Sequence, residues 1–331
     1  MLAMNQATEE RDQSKKLPPR NLASSLLKFE QMGILIAVIL LWVILAFIAP
    51  HFLSWQNIIN IGLSISYVGV VAAAQTIVLI AGGFDLSVGS TAALAGIVAV
   101  LTMNASHNII IAIIGGLLVG MAGGLFNGLS ITKLKINALI TTLATMSVLR
   151  GIAFLVSGGS AIGVLDREFY GLGIGQTLGI PNPVIILVLI FIAFHVLLNY
   201  TRFGRELYVV GGNPEAARLS GINVDKYRVR VFIISGAMAA LTGIILASRM
   251  TSGQPTSGQG LEMDSITAAI LGGTALAGGQ GRMIGTVFGM ILMGTVDNGL
   301  NLLNVPAFYQ YIARGLLLLF GVAIDQLRAR R

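Results

Sequence analysis

Ten apolar runs, most of them long enough to cross a lipid bilayer, constrain the fold of this chain more than any other feature. A spanning helix needs roughly 20 apolar residues, and lipid leaves the backbone no hydrogen-bond partner outside the segment itself, so such runs must be helical. Only 11% of the 331 residues are charged, against about 25% in soluble domains. The sequence therefore predicts an all-α integral membrane protein. The runs lie at about 33–50, 58–81, 88–104, 108–131, 137–156, 183–200, 229–250, 264–279, 283–297 and 308–325.

The positions of lysine and arginine indicate on which side of the membrane each connection lies, because positive residues stay in cytoplasmic connections. If both termini are cytoplasmic, all but four of the 21 basic residues lie in cytoplasmic connections or in the two cytoplasmic tails. Two arginines, Arg167 and Arg249, lie outside, and Arg150 and Arg314 lie within runs. The basic pI of 9.9 thus reflects contact with membrane lipid, and no nucleic-acid partner is expected.

This topology divides the chain into three parts. Residues 1–30 form a cytoplasmic N-terminal tail, 31–325 the transmembrane domain and 326–331 a cytoplasmic C-terminal tail. Within the domain, 201–228 is the one sizeable cytoplasmic loop. Because 264–279 and 283–297 are short and glycine-rich, eight or nine spans with buried re-entrant pieces remain an alternative to ten.

Short matches recur in the same order in the two halves of the chain. Five spans per half is an odd number, so the matches predict two five-helix repeats that are inverted in the membrane, a common plan of transporters. Chance matching in a chain rich in Gly, Ala and Leu is the alternative. The matched pairs are 91–94 with 267–270, 127–129 with 298–300, and 150–151 with 314–315.

Four charges within or beside the runs require an explanation, since a charge in the bilayer centre costs roughly 2.5 to 3.5 kcal/mol. We expect Asp85 to lie at the cytoplasmic interface and to cap the third span, with a substrate role as the alternative. Asp297 is expected to pair with one of the two arginines, Arg150 or Arg314. No run carries two carboxylates, which counts against an ion-coupled carrier.

The cytoplasmic loop 201–228 contains the signals of a short capped helix. Asn213 is suited to the N-cap, Pro214 to the first helical position, Glu215 to the first turn and Gly221 to the end. Such a helix suits a membrane subunit that receives force from a soluble partner, although an ordinary interfacial helix would have the same sequence.

Several classes of chemistry are excluded or made improbable by composition. The chain has no Cys and three scattered His, so neither a thiolate nucleophile nor a metal site is expected. No G-x-x-x-x-G-K-[ST] motif is present, so a nucleotide would have to bind another polypeptide. The prediction is a protein that is not an enzyme and has no catalytic residue and no cofactor of its own.

Four segments resemble the permeases of ribose- and arabinose-type sugar ABC importers, and the resemblance extends from about residue 33 to 325. They are GGFDLSVGSTAALAG (82–96), GGNPEAARLSGINVDKYRV (211–229), SGQPTSGQGLEMDSITAAILGGTALAGGQGRMIGTVFG (252–289) and NGLNLLNVPAFYQYIARG (298–315).

This resemblance implies a homodimeric inner-membrane permease of about ten spans per subunit. It implies a periplasmic sugar-binding protein and a cytoplasmic ATPase with two fused nucleotide-binding halves, which binds ATP and Mg. It does not indicate which side chains line the sugar path. The Glu-Ala-Ala triplet here stands closer to its glycine than in older descriptions of importer coupling loops. The residues placed at the ATPase are Gly212, Asn213, Glu215, Ala216, Ala217, Arg218 and Gly221.

L-arabinose or D-ribose is the expected cargo, with another small polar solute such as a polyol, a nucleoside or a furanose-like signal as the alternative. Two further functions stay open at this point. An ion-coupled secondary carrier would also use inverted repeats, and a scaffold or receptor would use the cytoplasmic helix only to bind a partner.

Overall fold

The computed structural model describes residues 32–329 and is predominantly helical over that range. The predicted N-terminal tail and the last two residues of the predicted C-terminal tail lie outside the described residues. The helices are α1 (Met32–Ile48), α2 (Trp55–Ile80), α3 (Val88–Ser106), α4 (Ile109–Thr132), α5 (Ala138–Ser157), α6 (Asn182–Tyr200), α7 (Arg202–Gly212), α8 (Pro214–Leu219), α9 (Val224–Arg249), α10 (Leu261–Leu271), α11 (Met283–Leu302) and α12 (Ala307–Ala329).

Two small strand pairs and a 3-10 helix (Arg167–Leu172) lie in the connections that the topology assigns to the outer side. Strand β1 (Ile162–Gly163) pairs antiparallel with β4 (Ser252–Gly253), in register Ile162 with Gly253. Strands β2 (Gln176–Thr177) and β3 (Ile180–Pro181) form a hairpin. The first pair joins the α5–α6 connection to the segment that follows α9.

Six of the twelve described helices begin at a side chain that accepts a hydrogen bond from a first-turn N–H group. This capping satisfies donors that have no partner within the helix, and it explains where the apolar runs become regular helices. The caps are Ser54 of α2, Asn108 of α4, Asn137 of α5, Thr201 of α7, Asn213 of α8 and Asn223 of α9.

Eight of the described helices are long and apolar enough to cross a membrane: α2 to α6, α9, α11 and α12. Helix α1 is apolar but has 17 residues. The predicted span 264–279 differs most, because α10 covers 11 residues and ends at Leu271. At 1.5 Å per residue, α10 spans about half of the bilayer core. The helix stops where four glycines take positive φ: Gly273, Gly278, Gly279 and Gly281.

A row of glycines at four-residue spacing brings α4 into backbone contact with α9. A Cβ atom at Gly120 would overlap the carbonyl oxygen of Gly236, and one at Gly124 would overlap that of Phe232. Small residues at this spacing allow close packing of membrane helices. The glycine seam, formed by Gly116, Gly120, Gly124 and Gly128, therefore makes α9, α4 and α3 one tightly packed unit.

The core and the periphery are distinguished by burial. In the most apolar part of α2, 78% of the residues are buried, against 6% in α12. Helices α2 and α9 contribute many of the fully buried side chains, including Ile77, Leu79 and Ile244. The exposed faces of α4, α5, α6 and α12 carry mainly Leu, Ile, Val and Phe, which suits contact with lipid.

Candidate functional site: the cytoplasmic helix and the charges within the membrane

The short helix predicted in the cytoplasmic loop is present as α8, and its caps are those that the sequence indicated. Asn213 Oδ1 accepts from the backbone N–H groups of Glu215 (3.1 Å) and Ala216 (3.0 Å). Pro214 is the first helical residue. Gly221 follows with φ of 78°, a left-handed conformation that glycine adopts without strain.

The side chains of α8 divide into an inner and an outer face. Ala217 is fully buried and belongs to the main apolar core. Glu215, Ala216 and Arg218 are exposed, and Leu219 is 87% exposed. Helix α8 therefore turns Ala217 toward the core and presents its charged residues and Leu219 on the outer face.

The sequence prediction missed α7, which was assigned to the loop. Its buried residues Leu207 and Val210 are three apart, and Thr201 caps its first turn by accepting from Gly204 N–H. These signals were available, but they are short and stand in a polar segment. Helix α7 leads directly into Asn213, so it positions α8.

A glycine junction supports α8 from the membrane side. We use this name for Gly82, Gly211, Gly212, Gly278 and Gly279, whose backbones lie against one another. The N–H group of Gly279 donates to the carbonyl of Ile80, the last residue of α2, at 2.9 Å. A side chain at Gly211 would overlap this carbonyl. The end of α7, which leads into α8, therefore packs backbone against backbone on the end of α2 and on 278–279.

Two side-chain contacts add to this support. Tyr208 Oη donates to the carbonyl of Gly281 at 2.8 Å. Glu206 accepts hydrogen bonds from Tyr227 Oη on α9 and from Arg202 on its own helix. These two donors hold the pKa of the Glu206 carboxyl below its usual value, since both stabilise the ionised form.

Asp85 is buried, with 1% of its surface exposed, in the connection between α2 and α3 that the predicted topology assigns to the cytoplasmic side. Its Oδ1 accepts from Ser87 N–H (3.0 Å) and Ser87 Oγ (2.6 Å). The predicted cap of the third span is not formed, because Ser87 is the N-cap residue of α3 and no side chain accepts from the first turn of that helix. Its Oδ2 accepts from Ser235 Oγ of α9 at 2.7 Å, and Asn127 of α4 donates to Ser87 Oγ at 2.9 Å. The carboxylate thus connects the start of α3 to α9.

The two intramembrane arginines have different partners. Arg314 donates to Asp297 from Nε and Nη2 and to Asp264 Oδ2 from Nη1 at 3.1 Å. Arg150 donates to the carbonyl oxygens of Pro255 (2.6 Å) and Ser257 (2.9 Å). Both arginines therefore contact the segment 255–264. Sequence analysis did not select Asp264, because it stood at the edge of a predicted span.

These features define a class of protein: a multi-span α-helical membrane protein with a short helix, α8, beside the ends of its spans. Among residues 32–329 there is no group of His, Cys, Asp or Glu that could hold a metal ion. The chain belongs to the family described as "Branched-chain amino acid transport system / permease component", whose profile matches residues 57–322.

Relatives with sequences similar over nearly the whole chain are permease components of sugar transporters. The L-arabinose transport system permease protein AraH of Escherichia coli K12 is 44% identical over 91% of this chain and 92% of the relative. AraH of Azospirillum brasilense is 42% identical over 89% and 87%. The ribose import permease protein RbsC of E. coli K12 is 41% identical over 88% and 92%. No solved structure matches the chain significantly.

The family and these relatives establish a transport permease rather than an enzyme. With several apolar helices of spanning length, they also establish a multi-pass protein of the bacterial inner membrane.

Proposed function

We propose that this chain is the membrane subunit of an ATP-driven importer that carries a pentose, L-arabinose or D-ribose, into the bacterial cytoplasm. The observation that carries the proposal is the similarity to arabinose and ribose permeases over about nine-tenths of the chain. The relatives for the two sugars are about equally similar, so the choice between these pentoses is left to experiment.

Helix α8 is the proposed docking element for a cytoplasmic ATPase with two fused nucleotide-binding halves. Its exposed face and its backbone support from α2 and 272–282 favour this role. ATP and Mg are proposed to bind the ATPase, with no cofactor held by this chain. A periplasmic sugar-binding protein is proposed to dock on the outer connections, 157–182, 251–263 and 298–307.

Ten membrane segments in two inverted repeats, with both termini cytoplasmic, are the proposed arrangement. Helix α1 and the half-length α10 add to the eight long helices, and α10 follows the segment 251–260, which consists of a short strand and turns after α9. Two such subunits are proposed to form a homodimer. Arg150 and Arg314, which match in the repeat, both contact the segment 255–264.

Transport follows from the connection between α8 and the spans. Closure of the ATPase upon ATP binding would push α8, and the glycine junction would pass the displacement to α2 and to the segment before α11. The repeats would then open alternately to the two sides of the membrane. The permease itself forms and breaks no covalent bond.

Uptake of labelled L-arabinose, D-ribose and D-galactose into proteoliposomes tests the proposal. We expect flux of one pentose only when ATP is inside and when the ATPase and the binding protein are both present. Flux from this chain alone that collapses with a proton or sodium gradient would show an ion-coupled carrier. Partner binding without flux of any sugar would show a scaffold or receptor.

A further inference from the structure

A cavity of about 610 Å³ opens beside α8 at the predicted cytoplasmic surface. Its walls come from the connection between α2 and α3, the connection between α4 and α5, and the first turns of α9. Gly82 of the glycine junction and Arg218 of α8 lie at its edge. Its electrostatics point to an occupant.

Positive charge predominates in the cavity. Lys135, Arg218 and Arg228 line it, and Asp225 is the one carboxylate among its lining residues. Asp225 lies 3.8 Å from Arg218 in a loose, exposed ion pair, so a single carboxylate stands against three basic side chains. The capped N-terminus of α5, at Asn137, also lines the cavity and adds the positive end of a helix dipole.

Arg228 is the strongest indication of a missing anion. Its side chain is half-buried, yet within residues 32–329 it forms neither a hydrogen bond nor an ion pair with another side chain. The nearby Arg218 repels it more than Asp225 attracts it. A guanidinium that has lost part of its hydration without gaining an acceptor is stabilised by an anionic ligand, and phosphate oxygens fit its fork of donors.

The surroundings of the cavity identify the source of the anion. Ile136 and Leu139 line it and are exposed, and the next turn of α5 carries exposed Ile140 and Leu143. The basic cavity therefore adjoins the exposed apolar face of α5, a helix long enough to span the membrane. A phospholipid has this combination of an anionic headgroup and acyl chains, and basic pockets at the cytoplasmic ends of spans suit such headgroups.

We propose that this cavity binds the phosphate headgroup of an anionic phospholipid from the cytoplasmic leaflet, with the acyl chains along α5. Arg228 and Lys135 are the principal contacts of the phosphate. Bound lipid would then lie next to α8 and stabilise the cytoplasmic end of α9.

The test is binding of a fluorescent phosphatidylglycerol to the full-length permease in a neutral detergent. We expect unlabelled phosphatidylglycerol to compete and phosphatidylcholine to compete far less. Arg228→Gln and Lys135→Gln should each weaken binding on the order of fivefold. Lys133→Gln and Arg230→Gln are matched controls, since both residues are exposed and neither lines the cavity; they should bind as the unmodified chain does.

Several results would overturn the proposal. Equal competition by phosphatidylcholine, or unchanged affinity in both cavity variants, would show that the cavity does not bind an anionic headgroup. Equal competition by inorganic phosphate would show that the ligand of the cavity is a free anion and not a lipid. Loss of ATPase association with unchanged lipid binding would assign the cavity to the ATPase. Size-exclusion elution and circular dichroism of each variant distinguish lost binding from lost folding.

Discussion

Arg314 on α12 holds Asp297 on α11 through two hydrogen bonds, 3.1 Å from Nε to Oδ1 and 2.9 Å from Nη2 to Oδ2. The same guanidinium reaches Asp264 on α10. Because so little of α12 is buried, this three-helix ion cluster is one of the main contacts that attach the helix to the rest of the chain.

Arg314→Leu should therefore lower the stability of the purified permease by about 3 kcal/mol, since it leaves two carboxylates without their cation. Thermal unfolding in detergent measures the loss. Arg314→Lys keeps the charge but not the parallel hydrogen bonds. Its unfolding temperature should therefore lie between that of the unmodified permease and that of Arg314→Leu. An Arg314→Leu protein that unfolds at the unmodified temperature would contradict a stabilising role for the pair.

Exchange of charges on α8, by Glu215→Arg together with Arg218→Glu, should weaken ATPase association while leaving the spans folded. Both side chains are exposed, and interfacial charges of the wrong sign repel a complementary partner. Co-purification of the ATPase with the double variant measures the effect.

A matched control for this exchange exists on the predicted outer side. Arg167→Glu with Glu168→Arg swaps the same charges on exposed neighbours in the 3-10 helix, where the ATPase has no access. We expect full co-purification with that control. Equal recovery of the ATPase with the α8 variant would exclude α8 as the docking element.

Gly124→Ala should destabilise the fold by about 1 to 3 kcal/mol, because its new methyl group would overlap the carbonyl of Phe232 in the glycine seam. Gly151→Ala on α5 is the control, since a Cβ there has no neighbour within 4 Å. The unfolding temperature should fall for the first variant and remain or rise for the second. Equal stability of the two would mean that α4 and α9 can separate without cost.

Ser235→Ala should cost about 1 to 2 kcal/mol, because it removes a donor from the buried carboxylate of Asp85. Ser147→Ala is the comparison, as Ser147 is exposed and bonds within its own helix. Denaturation of both proteins in the same detergent tests the difference. If Ser235→Ala is no less stable than Ser147→Ala, the link between α3 and α9 contributes nothing.

Much of the helical structure and one part of the candidate site could be predicted from local signals. The apolar runs correspond to helices at most positions, and the caps of α8 at Asn213 and Gly221 are as expected. The run at 264–279 failed as a single helix because average hydropathy does not detect the positive φ of its glycines. Helix α7 was missed because its two buried positions stand among charged residues.

The sequence by itself determined that the chain is a helical membrane protein, which sides its basic loops favour, and where α8 begins. These properties depend on residues within a few turns of one another, or on the cost of placing charge in lipid. Only the tertiary structure decided that Asp297 pairs with Arg314 rather than Arg150, that Asp264 joins them, and that Asp85 is buried against Ser235. Such partners are chosen by how close-packed helices approach, and local sequence does not encode that approach.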